Sequence, residues 1–137
     1  MERIMFEWNA RVYFEDTDSG GVVYHTNYLK FMERARTEWL RSLGLNQIKL
    51  KKEDKVMFVV RKIDIQYKLP ARFNDELLIK TDCIKITDYS IMLEQNILRD
   101  EEIITKGKVE IVSINSDYFK PVHIPKMAKQ LMEIIKC

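Results

Sequence analysis

The chain has 137 residues, 23 Lys+Arg against 21 Asp+Glu, and a formal net charge of +2. At about 150 residues per domain it reads as a single domain over residues 1–137, with 46% hydrophobic and 32% charged residues giving an ordinary globular composition. The longest apolar run, Val56-Met57-Phe58-Val59-Val60, falls far short of the ~20 residues that cross a bilayer, and four Gly and three Pro exclude collagen-like and linker sequences.

Glu2 and Glu7 interrupt the N-terminus, so no signal-peptide core and a cytoplasmic location are expected. Cys83 and Cys137 form no C-x-x-C pair, and His25 and His123 form no H-x-x-x-H pair, so two reduced thiols and no metal are expected. A pI near 8.5 is below the value above about 9 expected of a dedicated nucleic-acid domain.

In chain order, Trp8, Ala10, Val12 and Phe14 alternate with Asn9, Arg11 and Tyr13, which predicts a half-buried strand over residues 8–14. Glu15-Asp16-Thr17-Asp18-Ser19-Gly20-Gly21 is a breaker-rich loop. From about Asn27 to Leu43, Tyr28, Phe31, Met32, Ala35, Trp39, Leu40 and Leu43 recur at three and four residues. That spacing predicts an amphipathic helix with Lys30, Glu33, Arg34, Arg36, Glu38 and Arg41 mostly on its outer side. Gly44 stands where a C-terminal cap is expected, and a short helical piece is predicted near residues 46–53. Met57, Val59, Ile63, Ile65, Tyr67 and Leu69 alternate along one long strand that ends at Pro70. After a turn at Asn74-Asp75, strands are predicted over residues 77–87, 89–98 and 103–114, joined by hairpins. Gly107, inside the last of them, marks a bulge or a close backbone approach. Residues 127–135 read as a C-terminal amphipathic helix. The order is strand, helix, then four strands in a meander, without the intervening helices of a parallel sheet. The fold class is α+β, one long helix covering a face of an antiparallel sheet.

The chemistry concentrates between Tyr13 and Tyr28, in YFEDTDSGGVVYHTNY, where a strand end meets a helix start. Helix N-termini carry free N–H groups and partial positive charge, and such an end can hold the oxyanion formed when an acyl carbonyl is attacked. A carboxylate a few residues earlier, Asp16 or Asp18, can act as nucleophile or general base, and Gly20 and Gly21 let the loop approach a ligand closely. Asp and Gly in this position also serve as plain turn and cap residues, so on spacing alone both readings stand. Asp18-Ser19-Gly20-Gly21 is no serine-protease loop, because no His precedes Ser19.

The string F-E-D-T-D-S-G-G-V-V-Y-H-T-N-Y followed by F-M-E-R-A-R-T-E-W-L resembles the 4-hydroxybenzoyl-CoA thioesterase branch of the hotdog superfamily, and most closely its YbgC-like acyl-CoA thioesterases associated with the Tol–Pal system. Leu69-Pro70-Ala71-Arg72 before Asp75-Glu76-Leu77, and Lys120-Pro121 before Ile124-Pro125, extend the resemblance along nearly the whole chain. It implies a hotdog fold, a five-stranded antiparallel sheet wrapped around one long helix, and hydrolysis of acyl-CoA to free acid and CoA without metal or redox cofactor. Carried over by residue, the catalytic pair is Asp18 and His25, with the backbone N–H at His25 polarising the thioester carbonyl. Asp16 is a supporting position, and Tyr13, Asp16, Gly21 and Tyr24 are expected to meet the substrate. Lys68, Arg72 and Lys120 are selected by charge for the CoA phosphates, although relatives carry more Arg where this chain has Lys120-Pro121-Val122-His123. The expected partners are acyl-CoA or an acyl carrier protein and further copies of this chain, as dimer or tetramer, since a five-stranded sheet leaves edges to pair. Nucleic acid is not an expected partner; a peripheral link to a membrane complex is implied by the resemblance. An acyl-thioester hydratase or dehydratase using His25, and a non-catalytic adaptor, are the alternative readings.

Overall fold

The computed structural model describes residues 5–136. β1 is Phe6–Arg11, α1 is His25–Ser42, α2 is Gln47–Lys49, β2 is Val56–Tyr67, β3 is Glu76–Ile86, β4 is Ser90–Arg99, β5 is Glu102–Asn115 and α3 is Lys126–Lys136. A 3-10 turn, Phe14–Asp16, follows β1, and one π-helical turn, Leu50–Asp54, continues α2. The strands form one five-stranded antiparallel sheet in the order β1-β3-β4-β5-β2. Cys83 is buried; Cys137 lies outside the described residues. Among the described residues, no helix is long and apolar enough to cross a membrane.

α1 lies across the sheet because its apolar side is continuous. Tyr28, Phe31, Met32, Ala35, Trp39 and Leu40 are all buried. Two packed groups result: one around Phe31, Met32, Ile79, Ile97 and Val109, the other around Trp39, Leu93, Ile111 and α3's Ala128 and Met132. Gly44, at φ 85°, ends the helix in the left-handed region that glycine enters without strain.

Four expectations differ in the structure. β3, β4 and β5 form the predicted meander, but β2 pairs with β5 and not with β3. Two strands therefore separate β2 from β3, about 14 Å at ~4.8 Å per strand, a gap that residues 68–75 span and a tight hairpin does not. Along β2 the alternation changes phase at a bulge between Val60 and Lys62. Phe58 packs inward before it and Ile63 and Ile65 after it, in place of the single Met57-Val59-Ile63 face. β1 stops at Arg11, and Phe14 turns out to 77% exposure in the 3-10 turn. Arg36, expected on the outer side of α1, is 8% exposed.

Arg36 is accommodated by a polar group in the sheet. Its Nη1 donates to Gln95 Oε1 at 3.0 Å, and Gln95 Nε2 donates to the Met32 carbonyl and to Thr81 Oγ1, each at 2.9 Å. Burial lowers the Arg36 pKa from the usual arginine value, against the favourable charge of Glu33. Beside this group Gly107 faces Met32 so closely that a Cβ there would lie 2.4 Å from the Met32 methyl and 3.3 Å from the Gln95 carbonyl oxygen. The expected bulge is not at Gly107, whose pairing with Ile65 and Gln95 is unbroken, and the closest approach to it is made by the Met32 side chain and not by backbone.

Gly107→Ala is expected to destabilise the fold by about 1 kcal/mol, because overpacking costs about 1–3 kcal/mol and removing glycine's backbone freedom returns only about 0.5–1 kcal/mol. Gln95→Leu is expected to cost about 3 kcal/mol, since it strands a buried guanidinium and the Thr81 hydroxyl. Urea melts of the two variants check both the sizes and their order.

Candidate active site

The loop from β1 to α1 is held by its own main chain. Val12 N–H donates to the Asp75 carbonyl and Asn74 N–H to the Val12 carbonyl, both at 2.9 Å, which ties the end of β1 to the start of β3. The 3-10 turn then carries Asp16 inward to 7% exposure. Its Oδ2 accepts from Tyr13 N–H at 2.8 Å, its Oδ1 from Asn27 Nδ2 at 2.9 Å, and its carbonyl from Tyr24 N–H at 3.0 Å. Both oxygens of Asp16 are bonded within the protein, in a largely buried setting.

Asp18 is the outward carboxylate of the pair. Its N–H donates to the Val22 carbonyl at 2.9 Å and its carbonyl accepts from Gly21 N–H at 3.0 Å, closing a tight turn. Gly21 sits at φ 79° in that turn. Asp18 Oδ1 accepts from Gly20 N–H at 2.8 Å, and Oδ2 carries no hydrogen bond among the described residues. The return limb is fixed by bridges from Val23 to Thr17 and from Val22 to Arg72, and by Val23 N–H donating to the Ala71 carbonyl at 2.8 Å.

α1 begins at His25 with Tyr24 in the capping position, and no side chain caps it. The N–H groups of His25 and Thr26 therefore have no protein acceptor among the described residues, while Asn27 N–H donates to the Tyr24 carbonyl at 2.8 Å. Beside this end lies a cleft of about 260 Å³ lined by Val23, His25, Tyr28, Tyr67, Lys68, Leu69 and Pro70. Tyr67 Oη donates to the His25 carbonyl at 3.1 Å, and the Tyr28 hydroxyl accepts from Ala71 N–H at 3.0 Å. Their rings are 5.4 Å apart, and the His25 ring stands edge-on to Tyr67 at 6.3 Å and against Tyr24 at 4.4 Å. Burial raises the Tyr28 pKa above the usual tyrosine value, more than the Ala71 N–H lowers it, and burial also raises that of Tyr67, with Tyr28 adding to the effect. Both stay neutral hydroxyls at neutral pH.

Of the residues singled out by sequence, the structure brings His25 and Lys68 to the cleft and sets Asp18, Gly21 and Tyr24 on the adjoining loop. Arg72 is exposed and follows the cleft wall by two residues. Tyr13 is 61% exposed, its main chain engaged with Asp16. Lys120 is elsewhere: its carbonyl accepts from Asn115 N–H, and Asn115 is the register partner of Val56, at the other end of β2 from Tyr67, roughly 35 Å away along the strand. Periodicity assigned Tyr67, Tyr28 and Asn27 to packing or to the helix start. The one available signal for Tyr67 was an aromatic residue at the last turn-ward position of a strand running into Leu-Pro.

Arg99 and Asp75 hold the crossing segment in place. Arg99 Nη1 donates to the Pro70 carbonyl at 2.8 Å and to Asp75 Oδ2 at 2.9 Å, and the same oxygen accepts from Arg72 N–H at 2.8 Å. Partial burial pushes the Asp75 carboxyl up, but the Arg72 N–H and the Arg99 guanidinium together outweigh it and hold the pKa below the usual aspartate value.

Residues 12–132 match the family model of the thioesterase-like superfamily. The chain is 39% identical to the acyl-CoA thioesterase YbgC of Haemophilus influenzae, with 96% of each chain covered. It is 42% identical to the acyl-CoA thioester hydrolase YbgC of an Escherichia coli O6:H1 strain, covering 92% of this chain and 94% of that one. A crystal structure of a probable thioesterase from Bartonella henselae superposes with a TM-score of 0.84 at 40% identity, over 89% of this chain and 100% of the other.

Because the folded-state pKa of Asp75 is depressed, its pairing contributes stability that is fully present above about pH 4 and lost as pH falls through the lower folded value. Asp75→Asn is expected to lower stability at pH 7 and to flatten the acid limb below about pH 4. Chemical denaturation at a series of pH values reads both effects, and an unchanged acid limb counts against this carboxylate.

Proposed function

The chain belongs to the thioesterase-like superfamily and is a hotdog-fold acyl-CoA thioesterase, hydrolysing acyl-CoA to free acid and CoA; from that premise we propose that Asp18 and the N-terminus of α1 carry the reaction. The observation that supports this reading is the uncapped helix start at His25 and Thr26, opening beside the cleft and next to a loop that presents Asp18 outward.

The acyl carbonyl lies at the helix start, its oxygen toward the His25 N–H. Asp18 takes a proton from water as the water oxygen bonds to the carbonyl carbon, or its own oxygen attacks to form an anhydride that water then opens. In both routes negative charge develops on the same carbonyl oxygen, where the N–H groups and the helix dipole stabilise it. Collapse breaks the carbon–sulfur bond and releases CoA as its thiolate, which takes the proton from Asp18 in the first route and from water in the second. A thioester is already activated for acyl transfer, and no metal or redox group enters this scheme. Lys68 and Arg72, on the segment leading out of the cleft, are placed to meet the CoA phosphates, and His25 contributes its main chain more than its imidazole. The acyl group arrives on CoA or on an acyl carrier protein.

The active form is a homo-oligomer, a dimer or a homotetramer. β2 is an edge strand of twelve residues, and an exposed edge of that length invites pairing. Two-fold pairing of two β2 edges in antiparallel sense returns the partner's Val56–Val60 end, with its Lys120 loop, to the Tyr67 end of this chain. A residue roughly 35 Å from the cleft in its own subunit would then face the neighbour's cleft. The tetramer and the link to the Tol–Pal complex rest on the family resemblance.

Asp18→Asn is expected to reduce turnover by about 10²-fold or more while leaving the fold intact. His25→Ala should lose less than His25→Pro, because only proline removes the N–H. Equal activity of the two His25 variants, with circular dichroism matching the parent, would rule out the main-chain donor. Mixing Asp18→Asn subunits with subunits altered at the Val56 end of β2 should regain activity, and sedimentation showing a fully active monomer would remove the shared site.

A further inference from the structure

The carboxylate of Asp16 touches nothing in the proposed reaction, yet it is the more buried and the more fully bonded of the two loop aspartates. An ordinary N-cap carboxylate accepts from the N–H of the second or third helical residue. Asp16 does otherwise. It reaches the first turn of α1 through the side-chain amide of Asn27, the third helical residue, and through its own carbonyl, which accepts from Tyr24 N–H. The helix is gripped without the His25 and Thr26 N–H groups being covered.

Asp16 is also two residues from Asp18, at the end of the 3-10 turn whose start its other oxygen holds through Tyr13 N–H. One buried side chain is therefore bonded on one oxygen to the turn that leads into the Asp18 loop, and on the other to the helix end that faces the carbonyl. We propose that Asp16 is a positioning residue, with Asn27 as its counterpart, setting the separation of the Asp18 carboxylate from the N–H groups at the start of α1. This rests on the reading of Asp18 and the helix start given above. A carboxylate suits the task because it accepts on both oxygens, from a main-chain donor and an amide donor at once, and because negative charge near a helix N-terminus is favoured. An Asp in the capping position itself would also fix the helix, but it would cover the Thr26 N–H, one of the two open donors.

The experiment exchanges the two groups. Asn27→Asp sets two carboxylates against each other and is expected to lower kcat roughly 10- to 100-fold, the scale of a small misplacement of reacting groups. KM should stay within about threefold, since Lys68 and Arg72 are untouched. Adding Asp16→Asn in the same chain restores the pair: the amide oxygen at position 16 accepts from Tyr13 N–H and its NH2 donates to the carboxylate at position 27. The double variant should recover kcat to within about threefold of the parent. Thermal melts accompany each assay, and kcat is taken per folded chain, a quantity that a purely stabilising role of the pair would leave unchanged. Parental kcat in Asn27→Asp, or a folded double variant that recovers nothing, overturns the proposal. If Asn27→Asp does not fold, Asn27→Ala gives the same reading, with lowered kcat at steady KM expected and unchanged kcat overturning it. Asp18→Asn is assayed alongside. Full activity there defeats the assignment of the site, whereas an inactive Asp18→Asn beside a fully active Asn27→Asp defeats only the positioning role.

Discussion

The depth to which α1 sinks against the sheet determines where its N-terminus emerges, and that depth is set at Met32. On one side Gly107 supplies no Cβ, so the Met32 methyl occupies the space a side chain would fill. On the other, Gln95 bonds the Met32 carbonyl and receives Arg36 one turn further along. The glycine allows the approach, and the glutamine fixes the helix's rotation and translation through directional bonds. Apolar packing alone tolerates sliding; a buried amide with three partners does not. The helix end seven residues before Met32 is therefore aimed by contacts in the middle of the sheet.

The sheet order places a second constraint on the same end. With β2 on the far edge beside β5, residues 68–75 must cross two strands to begin β3. That crossing runs past the start of α1. Ala71 accepts from Val23 N–H and donates to the Tyr28 hydroxyl, Arg72 bridges to Val22, and Arg99 and Asp75 hold the segment from behind. A meander with β2 beside β3 would have needed only a hairpin and would have left the helix start without a wall. The cleft is thus a product of topology: the end of β2, the start of the crossing and the first turn of α1 together line it.

Much of this was legible in the sequence where one local rule sufficed. The i, i+3, i+4 pattern from Tyr28 to Leu43 marked the helix, Gly44 its end, and the breaker-rich DTDSGG stretch the loop between strand and helix. What was not legible depended on distant partners. Arg36 looked like a solvent-facing residue because its acceptor, Gln95, is 59 residues away. Phe14 kept the strand's alternation although the Asp16 carboxylate had already turned the chain through Tyr13. The bulge between Val60 and Lys62 moved Phe58 inward with no change in composition to announce it. The pairing of β2 with β5 follows from the crossing, which sequence reads only as a Pro-containing link. At the site, motif and glycines pointed to Asp18 and His25, whereas Tyr67 and Asn27 enter through tertiary contacts alone.

The starts of α1 and α2 are treated differently in this chain. α2, three residues long, is capped by Asn46, whose Oδ1 accepts from Ile48 and Lys49 N–H at 3.0 and 3.1 Å. α1, eighteen residues long, begins at Tyr24 with no side-chain cap. A cap is worth about 1 kcal/mol, so the longer helix forgoes what the shorter one receives. It can do so because α1 is stabilised by burial of a whole face, with Phe31, Met32, Ala35 and Trp39 at 0–1% exposure, whereas α2 has little packing to rely on. The open end is then available to an external acceptor. Its two N–H groups gain hydrogen bonds only when an oxygen is placed before them, and most strongly when that oxygen carries charge. The proposed oxyanion site draws on that difference, since a charged oxygen would be held there more strongly than a neutral carbonyl.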